Sequence, residues 1–348
     1  MKKLTSVLLS AALLAMTGCT SSAPETDSAA EDVPVYRVAV VKQLDHASLD
    51  EIANAVIAEL KQKAEDTGVN IEFLGTADMG GGKVYSGQND QSTLQQIASD
   101  VISGKADVII PIATMAATTM AAAAEDTATP VVFAAISDPE SADLTDIDYV
   151  TGTSDALNTA QIMDMMFAQN PDLNKVGLLY SSSEVNSEKP IAEAKEYLKN
   201  KGFSDDQIID MGGSVNASEV PQAASALIAE KVQAVFTPTD NVIMDAELTI
   251  APMFAEAGIL HYAGADSFVR NGAFATCGVN YTDLGTETAD LAFAAMTEGM
   301  ENTGYFKSFE VMPGGIITVN TETAAETEVS YDMFADFGEI VEVVTTED

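Results

Sequence analysis

The chain has 348 residues, with 16 Lys and Arg against 54 Asp and Glu, so its formal net charge is −38. This balance disfavours binding to nucleic acid and docking on an anionic membrane surface, because both need clustered basic side chains. Apolar residues make up 47% of the chain, which excludes global disorder, while two His, two Cys and no Trp disfavour a metal site or a disulfide framework.

The N-terminal segment has the pattern of a secretory signal. Lys2 and Lys3 precede a thirteen-residue apolar run at 4–16 that is too short for a membrane span. The run ends in Gly18-Cys19, which resembles a bacterial lipobox, so residues 1–18 are predicted to be removed and Cys19 to be lipidated. The alternative is a signal with an incidental cysteine. Residues 19–34 are small, polar and acidic and predict a flexible tether, so we expect an exported domain on a membrane lipid anchor, facing outside or the periplasm.

From residue 36 onward, short β-branched runs alternate with stretches of helical periodicity, and the pattern restarts near residue 149. This alternation predicts an α/β fold whose parallel sheets are covered by helices on both faces. Strands are predicted at 36–41, 71–74, 108–111, 131–135, 176–180, 207–211, 234–237, 259–263 and 274–281. Helices are predicted at 49–67, 91–103, 114–125, 159–168, 190–200, 219–230, 241–257 and 283–298.

Polar residues follow most of these strands. Ligands of open parallel sheets bind at the carboxyl ends of the strands, so these residues are expected to meet in one cleft. Each of them alone is also typical of a helix cap or a turn. They include Asp45, His46, Thr114, Ser137, Asp138, 181–187, Thr239, Asp240, Asn241, Asp266 and Ser267.

Several segments, in their order and spacing, resemble the ABC-transporter substrate-binding lipoproteins whose better-known members bind tryptophan, tyrosine or phenylalanine. The similarity covers about residues 36–320. The segments that carry it are 44–50 (LDHASLD), 88–93 (QNDQST), 111–114 (PIAT), 130–139 (PVVFAAISDP), 150–155 (VTGTSD), 176–180 (VGLLY) with Asn186-Ser187, and 237–241 (TPTDN).

The resemblance implies a two-lobed periplasmic-binding-protein-like fold of type I, with a ligand cleft between the lobes. The predicted first lobe is 36–154 plus about 282–308, and the second is 155–281 plus about 309–345. It also implies delivery of the ligand to a permease with an ATPase subunit. The protein is expected to be a monomer without cofactor, metal or enzymatic activity.

The cleft residues suit an amino acid. Thr114 and Ser137 would receive the α-carboxylate at a helix N-terminus, and Asp240 or Asp266 would receive the α-ammonium, with Asn186 as a hydrogen-bonding partner. Asp240 is equally well explained as a helix cap.

Apolar walls are predicted from aromatic residues near the strand ends. Phe133, Phe268, Tyr281 and Met115 would flank an aromatic ligand, although core packing explains each of them as well. His46 would either titrate in the cleft or hold the end of its strand.

Two apparent motifs are set aside. Gly82-Lys83 lacks the other residues of a phosphate loop, so 80–82 is predicted to be a plain loop. The segment 152–156 approaches a nucleophile elbow at Ser154, but it ends in Ala156. An exported hydrolase is therefore the weakest alternative, Ser154 is kept as a ligand-binding candidate, and a sugar, nucleoside or signalling molecule in the same fold is the second choice.

Overall fold

A computed structural model describes residues 33–214 and 216–345. The predicted signal peptide, Cys19 and most of the predicted tether lie outside the described residues. In the part of the chain that the structure describes, no helix is both long enough and apolar enough to span a membrane.

The first sheet contains eight strands and is parallel except at one hairpin. Its central strands are buried along almost their whole length, because helices cover both faces. Its strands are β1 Val35–Lys42, β2 Asn70–Leu74, β3 Ala77–Met79, β4 Gly82–Ser86, β5 Val108–Ile112, β6 Val131–Phe133, β7 Val150–Ser154 and β13 Glu310–Val311. The order is β13-β7-β6-β5-β1-β4-β3, and β2 also pairs with β1.

The second sheet contains seven strands in the order β15-β14-β12-β11-β10-β8-β9. It is parallel except that β14 runs antiparallel to β12. Its strands are β8 Val176–Ser181, β9 Ile208–Ser214, β10 Ala234–Thr237, β11 Leu260–Ala263, β12 Ala275–Gly278, β14 Ile316–Asn320 and β15 Ile340–Val343.

Eleven helices of the described residues connect and cover these strands. Most follow the predicted amphipathic stretches, with the apolar face turned toward a sheet. The helices are α1 Ala47–Thr67, α2 Gln91–Ser103, α3 Thr114–Ala124, α4 Thr159–Gln169, α5 Val185–Asn200, α6 Val220–Ala229, α7 Asn241–Met244, α8 Glu247–Glu256, α9 Asp266–Arg270, α10 Tyr281–Thr297 and α11 Thr321–Glu326.

The predicted α/β alternation is confirmed, and the chain crosses between the sheets more than once. Helix α10 follows β12 of the second sheet but packs along α1 and against β5, β6 and β7 of the first. We call each sheet with its packed helices a lobe, so α10 belongs to the first lobe. The tail was predicted to join the second lobe from residue 309, but Glu310 and Val311 pair with Thr153 and Ser154 in the first sheet.

Two local predictions are wrong. Residues 80–82 were predicted to be a plain loop, but Gly82 begins strand β4, and Gly80 and Gly81, at φ 56° and 77°, form the turn of the β3–β4 hairpin. The single helix predicted at 241–257 is two helices, α7 and α8, with a break at 245–246.

Candidate functional site

The carboxyl ends of the two sheets face each other across a cavity, which we call the interlobe cavity. The volume of this cavity is about 30 Å³, which holds one or two water molecules, so the lining side chains or the lobes would move apart to admit a larger ligand. From the first lobe it is lined by His46, Ser48, Leu49, Ala113, Thr114, Ala135, Ser137, Asp155 and Tyr281. From the second lobe it is lined by Asn186, Thr239, Asp240, Asn241, Met244, Ala265, Ser267 and Phe268.

Direct hydrogen bonds join the lobes around this cavity. The Ser137 and Thr239 hydroxyl oxygens lie 2.7 Å apart. Gln43 Nε2 donates to Glu184 Oε1 at 3.2 Å, and this pair is buried. A longer contact, 3.4 Å, runs from Ser48 Oγ to an oxygen of Asp266. The lobes are therefore closed on the cavity in this structure.

The N-terminus of α3 forms one part of the wall. Ala113, which precedes the helix, has φ 74°, and Ala135, after β6, has φ 56°. Positive φ is costly for a residue with a Cβ and clusters at ligand sites. The backbone N–H of Met115 donates to Gln43 Oε1 at 2.9 Å. A helix N-terminus with the Thr114 hydroxyl beside it is suited to a carboxylate.

Asp155 is a fully buried carboxyl group on the cavity wall. Its Oδ1 accepts from Ser137 Oγ at 2.9 Å, and its Oδ2 accepts from the Tyr281 hydroxyl at 3.3 Å. Burial raises the pKa of Asp155, and these two hydrogen bonds offset the rise only in part. A bound cation would compensate the charge, so Asp155 is suited to a ligand ammonium.

Asp240 lines the same cavity, but its carboxylate is occupied by protein donors. One oxygen accepts from the backbone N–H groups of Val242 and Ile243, at 3.1 and 3.0 Å. The other accepts from Ser181 N and Ser187 Oγ, both at 2.7 Å. Four donors use the acceptor capacity of a carboxylate, so Asp240 caps α7 and ties β8 and α5 to it.

Three polar atoms of cavity-lining residues are buried and have no hydrogen-bond partner among the described residues. They are His46 Nδ1, Asn186 Oδ1 and Ser267 Oγ. Burial lowers the pKa of His46 to about 4, against an opposing hydrogen bond with Asn241, so the imidazole is neutral near pH 7. Buried polar atoms without partners are rare in folded proteins, and their concentration here favours a polar ligand.

The structure brings together six of the nine predicted ligand-binding residues and separates three. Thr114, Ser137, Asn186, Asp240, His46 and Phe268 line the cavity.

Asp266, Ser154 and Phe133 are not among the lining residues. Asp266 Oδ2 accepts from Arg270 Nε at 3.0 Å. Ser154 is buried in β7, and its Oγ accepts from Ala156 N at 3.2 Å. Phe133 packs in the core of the first lobe against Phe309, with ring centroids 6.4 Å apart.

Sequence reasoning missed Asp155 as a site residue. The signal was present, because Asp155 comes directly after β7, the position that singled out the other candidates. No group of three or more His, Cys, Asp or Glu side chains is arranged to hold a metal ion in residues 33–214 and 216–345.

These features define a two-lobed binding protein that closes on a small ligand. The chain matches the model of the family described as ABC transporter substrate binding protein over residues 37–333, and it belongs to that family. It is 29% identical over 306 residues to a tyrosine-binding protein of Clostridioides difficile (strain R20291), covering 85% of this chain and 84% of the relative.

Solved structures show the same fold. A conserved domain protein from Vibrio cholerae aligns with a TM-score of 0.77 at 24% identity over 88% of this chain and 99% of its own. An ABC domain from Streptococcus pneumonia, in complex with L-Trp, aligns at 0.76 and 24% with the same coverage. A ligand-free, open substrate-binding protein with adhesive properties from Clostridium difficile aligns at 0.64 and 26%, over 89% and 100%. The predicted periplasmic-binding-protein-like fold is therefore confirmed.

Proposed function

We propose that the protein captures an aromatic amino acid between its lobes, as the lipid-anchored, extracytoplasmic receptor of an ABC importer. The observation that carries this proposal is the pairing of the buried Asp155 carboxyl group with the N-terminus of α3 on one cavity wall. The two features are complementary to the ammonium and carboxylate of a zwitterion. Names of similar proteins, a tyrosine-binding protein and a domain in complex with L-Trp, support the aromatic class.

The lining also favours an uncharged ligand side chain. Asp155 and Asp240 are the carboxyl groups of the lining, and neither Lys nor Arg belongs to it. Leu49, Met244 and Phe268 line the cavity and belong to one buried hydrophobic cluster. A ring placed against such side chains gains apolar burial worth about 25 cal/mol per Å².

Titration calorimetry of the mature domain with the twenty amino acids tests the ligand class. We expect an aromatic amino acid to bind with a Kd below about 1 μM and non-aromatic amino acids to bind far more weakly. Failure of every amino acid to bind below about 100 μM would reject the ligand class while leaving the fold intact. Mass spectrometry of a co-purifying ligand would identify a sugar or nucleoside in that case.

Asp155→Asn tests the ammonium contact. Loss of a buried charge-assisted partner costs about 2–5 kcal/mol, so we expect affinity to fall by roughly 30-fold or more. Asp172→Asn is the matched control, because Asp172 is exposed and lies at the amino end of β8, away from the cavity. Equal affinities for the two variants would contradict the assigned role of Asp155.

The anchor and the importer are tested in cells. We expect Cys19→Ser to abolish incorporation of labelled fatty acid and to release the protein from the membrane fraction. Deletion of the protein is expected to reduce uptake of the labelled amino acid through the permease and its ATPase. Retention of the label by Cys19→Ser would contradict the lipid anchor alone.

A further inference from the structure

His46 sits at the N-terminal end of α1, on the wall of the interlobe cavity. It occupies the cap position of the helix, but its side chain makes no capping hydrogen bond. Its Nδ1 is buried without a partner among the described residues, as is the Oγ of Ser267 from the opposite lobe. Neither helix capping nor a hydrogen bond within the described residues explains why these two atoms are polar and buried.

Neighbouring hydrogen bonds decide which nitrogen of His46 carries the proton. Asn241 Nδ2 donates to Glu184 Oε2 at 2.9 Å, and the hydrogen bond of Asn241 with His46 raises the pKa of the imidazole, so the Asn241 carbonyl oxygen is the acceptor in that bond. A carbonyl oxygen accepts only from a protonated ring nitrogen, and Nδ1 has no partner, so we assign the proton to Nε2. Nδ1 is then an unpaired hydrogen-bond acceptor.

The strand order sets the separation of His46 from Asp155. Asp155 follows β7 and His46 follows β1, which is three strands away in the order β7-β6-β5-β1. Adjacent strands are about 4.8 Å apart, so these two wall positions are separated by about 14 Å. Both side chains line the cavity, so the distance between the Asp155 carboxyl group and the His46 imidazole is shorter than this backbone separation, and a ligand of amino-acid length could contact both.

The N-terminus of α3 lies between these two positions, because α3 follows β5. A ligand that places its ammonium at Asp155 and its carboxylate at α3 therefore directs its side chain toward His46. The apolar lining residue Leu49 lies in the first turn of α1, and Phe268 lies in α9, which follows β11. These two side chains would pack against the ring.

We propose that His46 determines the specificity of the site, by accepting at Nδ1 a hydrogen bond from a donor at the far end of an aromatic ring. The phenol hydroxyl of tyrosine and the indole N–H of tryptophan both supply such a donor, and phenylalanine does not. The inference rests on the proposed function and adds that the site selects among aromatic amino acids by their hydrogen-bond donor. With phenylalanine bound, Nδ1 would stay buried and unpaired, which weakens binding by about 10- to 100-fold.

Titration calorimetry with tyrosine, tryptophan and phenylalanine tests the inference. We expect wild-type protein to bind the better of the two donor ligands at least about 10-fold more tightly than phenylalanine. In His46→Leu this ratio should fall to within about threefold, through weaker binding of the donor ligand. His46→Gln, which keeps an acceptor oxygen, should restore part of the ratio. The separate titrations with tyrosine and tryptophan show whether the phenol hydroxyl or the indole N–H is the better donor to Nδ1.

Asp172→Asn is the control for these variants. Asp172 is exposed and lies at the amino end of β8, away from the cavity, so this change should leave the selectivity ratio in place. Binding of phenylalanine as tight as that of the donor ligands in wild-type protein would overturn the inference. So would an equal loss for all three ligands in His46→Leu. If no aromatic amino acid binds wild-type protein, the proposed function itself fails, which is a different result.

Discussion

The two histidines of the chain differ in burial and in their hydrogen-bonding partners: His261 is buried, whereas His46 is partly exposed on the cavity wall. In the core of the second lobe, His261 Nδ1 lies 2.8 Å from Glu247 Oε1, and its Nε2 lies 2.8 Å from Thr237 Oγ1. His46 reaches Glu184 only through Asn241, and one of its ring nitrogens has no partner. Both nitrogens of His261 are used by the protein, whereas His46 keeps one for a ligand.

The same difference separates the two carboxyl groups of the interlobe cavity. Asp240 accepts four hydrogen bonds from its own lobe and is part of the scaffold. Asp155 accepts two, and its pKa is raised by burial. Burial alone therefore does not identify a binding residue in this protein. The number of hydrogen-bonding partners that the fold supplies distinguishes these two carboxyl groups of the cavity.

The largest effect is expected from His261→Leu, because it leaves the Glu247 carboxyl group buried without its partner. Breaking a buried pair on one side costs about 3–5 kcal/mol of unfolding free energy. Urea denaturation measures the loss, and the double variant His261→Leu, Glu247→Leu is expected to recover at least half of it. A single variant as stable as wild type would show that the pair is not structural.

A smaller loss is expected from Asp240→Ala. Removing a helix cap costs about 1–2 kcal/mol, and the Ser181 and Ser187 donors lose their acceptor as well. Asp155→Ala, which removes fewer bonds and a costly buried charge, should lower the melting temperature less. Thermal denaturation measures both melting temperatures. A larger loss for Asp155→Ala than for Asp240→Ala would contradict the assignment of Asp240 to the scaffold.

Glu184 predicts a pH dependence of stability. Burial, and then the nearby Asp240 charge, raise the pKa of Glu184 to about 7. A carboxyl group with a raised folded-state pKa stabilises the fold most at low pH, and this contribution is lost as pH rises toward 7. We expect the unfolding free energy of Glu184→Gln, relative to wild type, to increase by on the order of 1 kcal/mol between about pH 5 and pH 8. A constant difference across this range would contradict the raised pKa.

Ala113→Gly is expected to have a modest effect of the opposite sign. Ala113 has φ 74°, where a Cβ is unfavourable and glycine is not. We expect a gain of about 0.5–1 kcal/mol in unfolding free energy, partly offset by the greater freedom of glycine in the unfolded chain. Ala116→Gly, inside α3, is the control and should destabilise the protein by a similar amount.

The smallest effect on stability is expected from His46→Leu in the ligand-free protein. This change removes a buried polar atom that has no partner, which offsets the loss of the hydrogen bond with Asn241, so the unfolding free energy should stay within about 1 kcal/mol of wild type. Urea denaturation of His46→Leu and His261→Leu under the same conditions compares their unfolding free energies directly. Equal losses of unfolding free energy in the two histidine variants would contradict the conclusion that His261 is structural and His46 is not.

The sequence by itself determined the architecture and the general place of the cleft. Strands and helices follow the periodicity of apolar residues, which is a local property of the chain. Thr114 and Ser137 were predicted from their positions directly after strands, and parallel sheets bring such positions to one edge. The hairpin at 77–86 was missed, since its strands are short and the lone turn signal of three glycines also suits a loop.

Only the tertiary structure decided which polar residues remain available to a ligand. Sequence reasoning named Asp240 or Asp266 for the ammonium, but Asp240 is saturated by donors up to 59 residues away and Asp266 pairs with Arg270. It also left the role of His46 open, because the imidazole depends on Asn241 from the other lobe. Hydrogen-bond partners of a buried group come from segments distant in the chain, so their number appears only when the lobes have folded and closed.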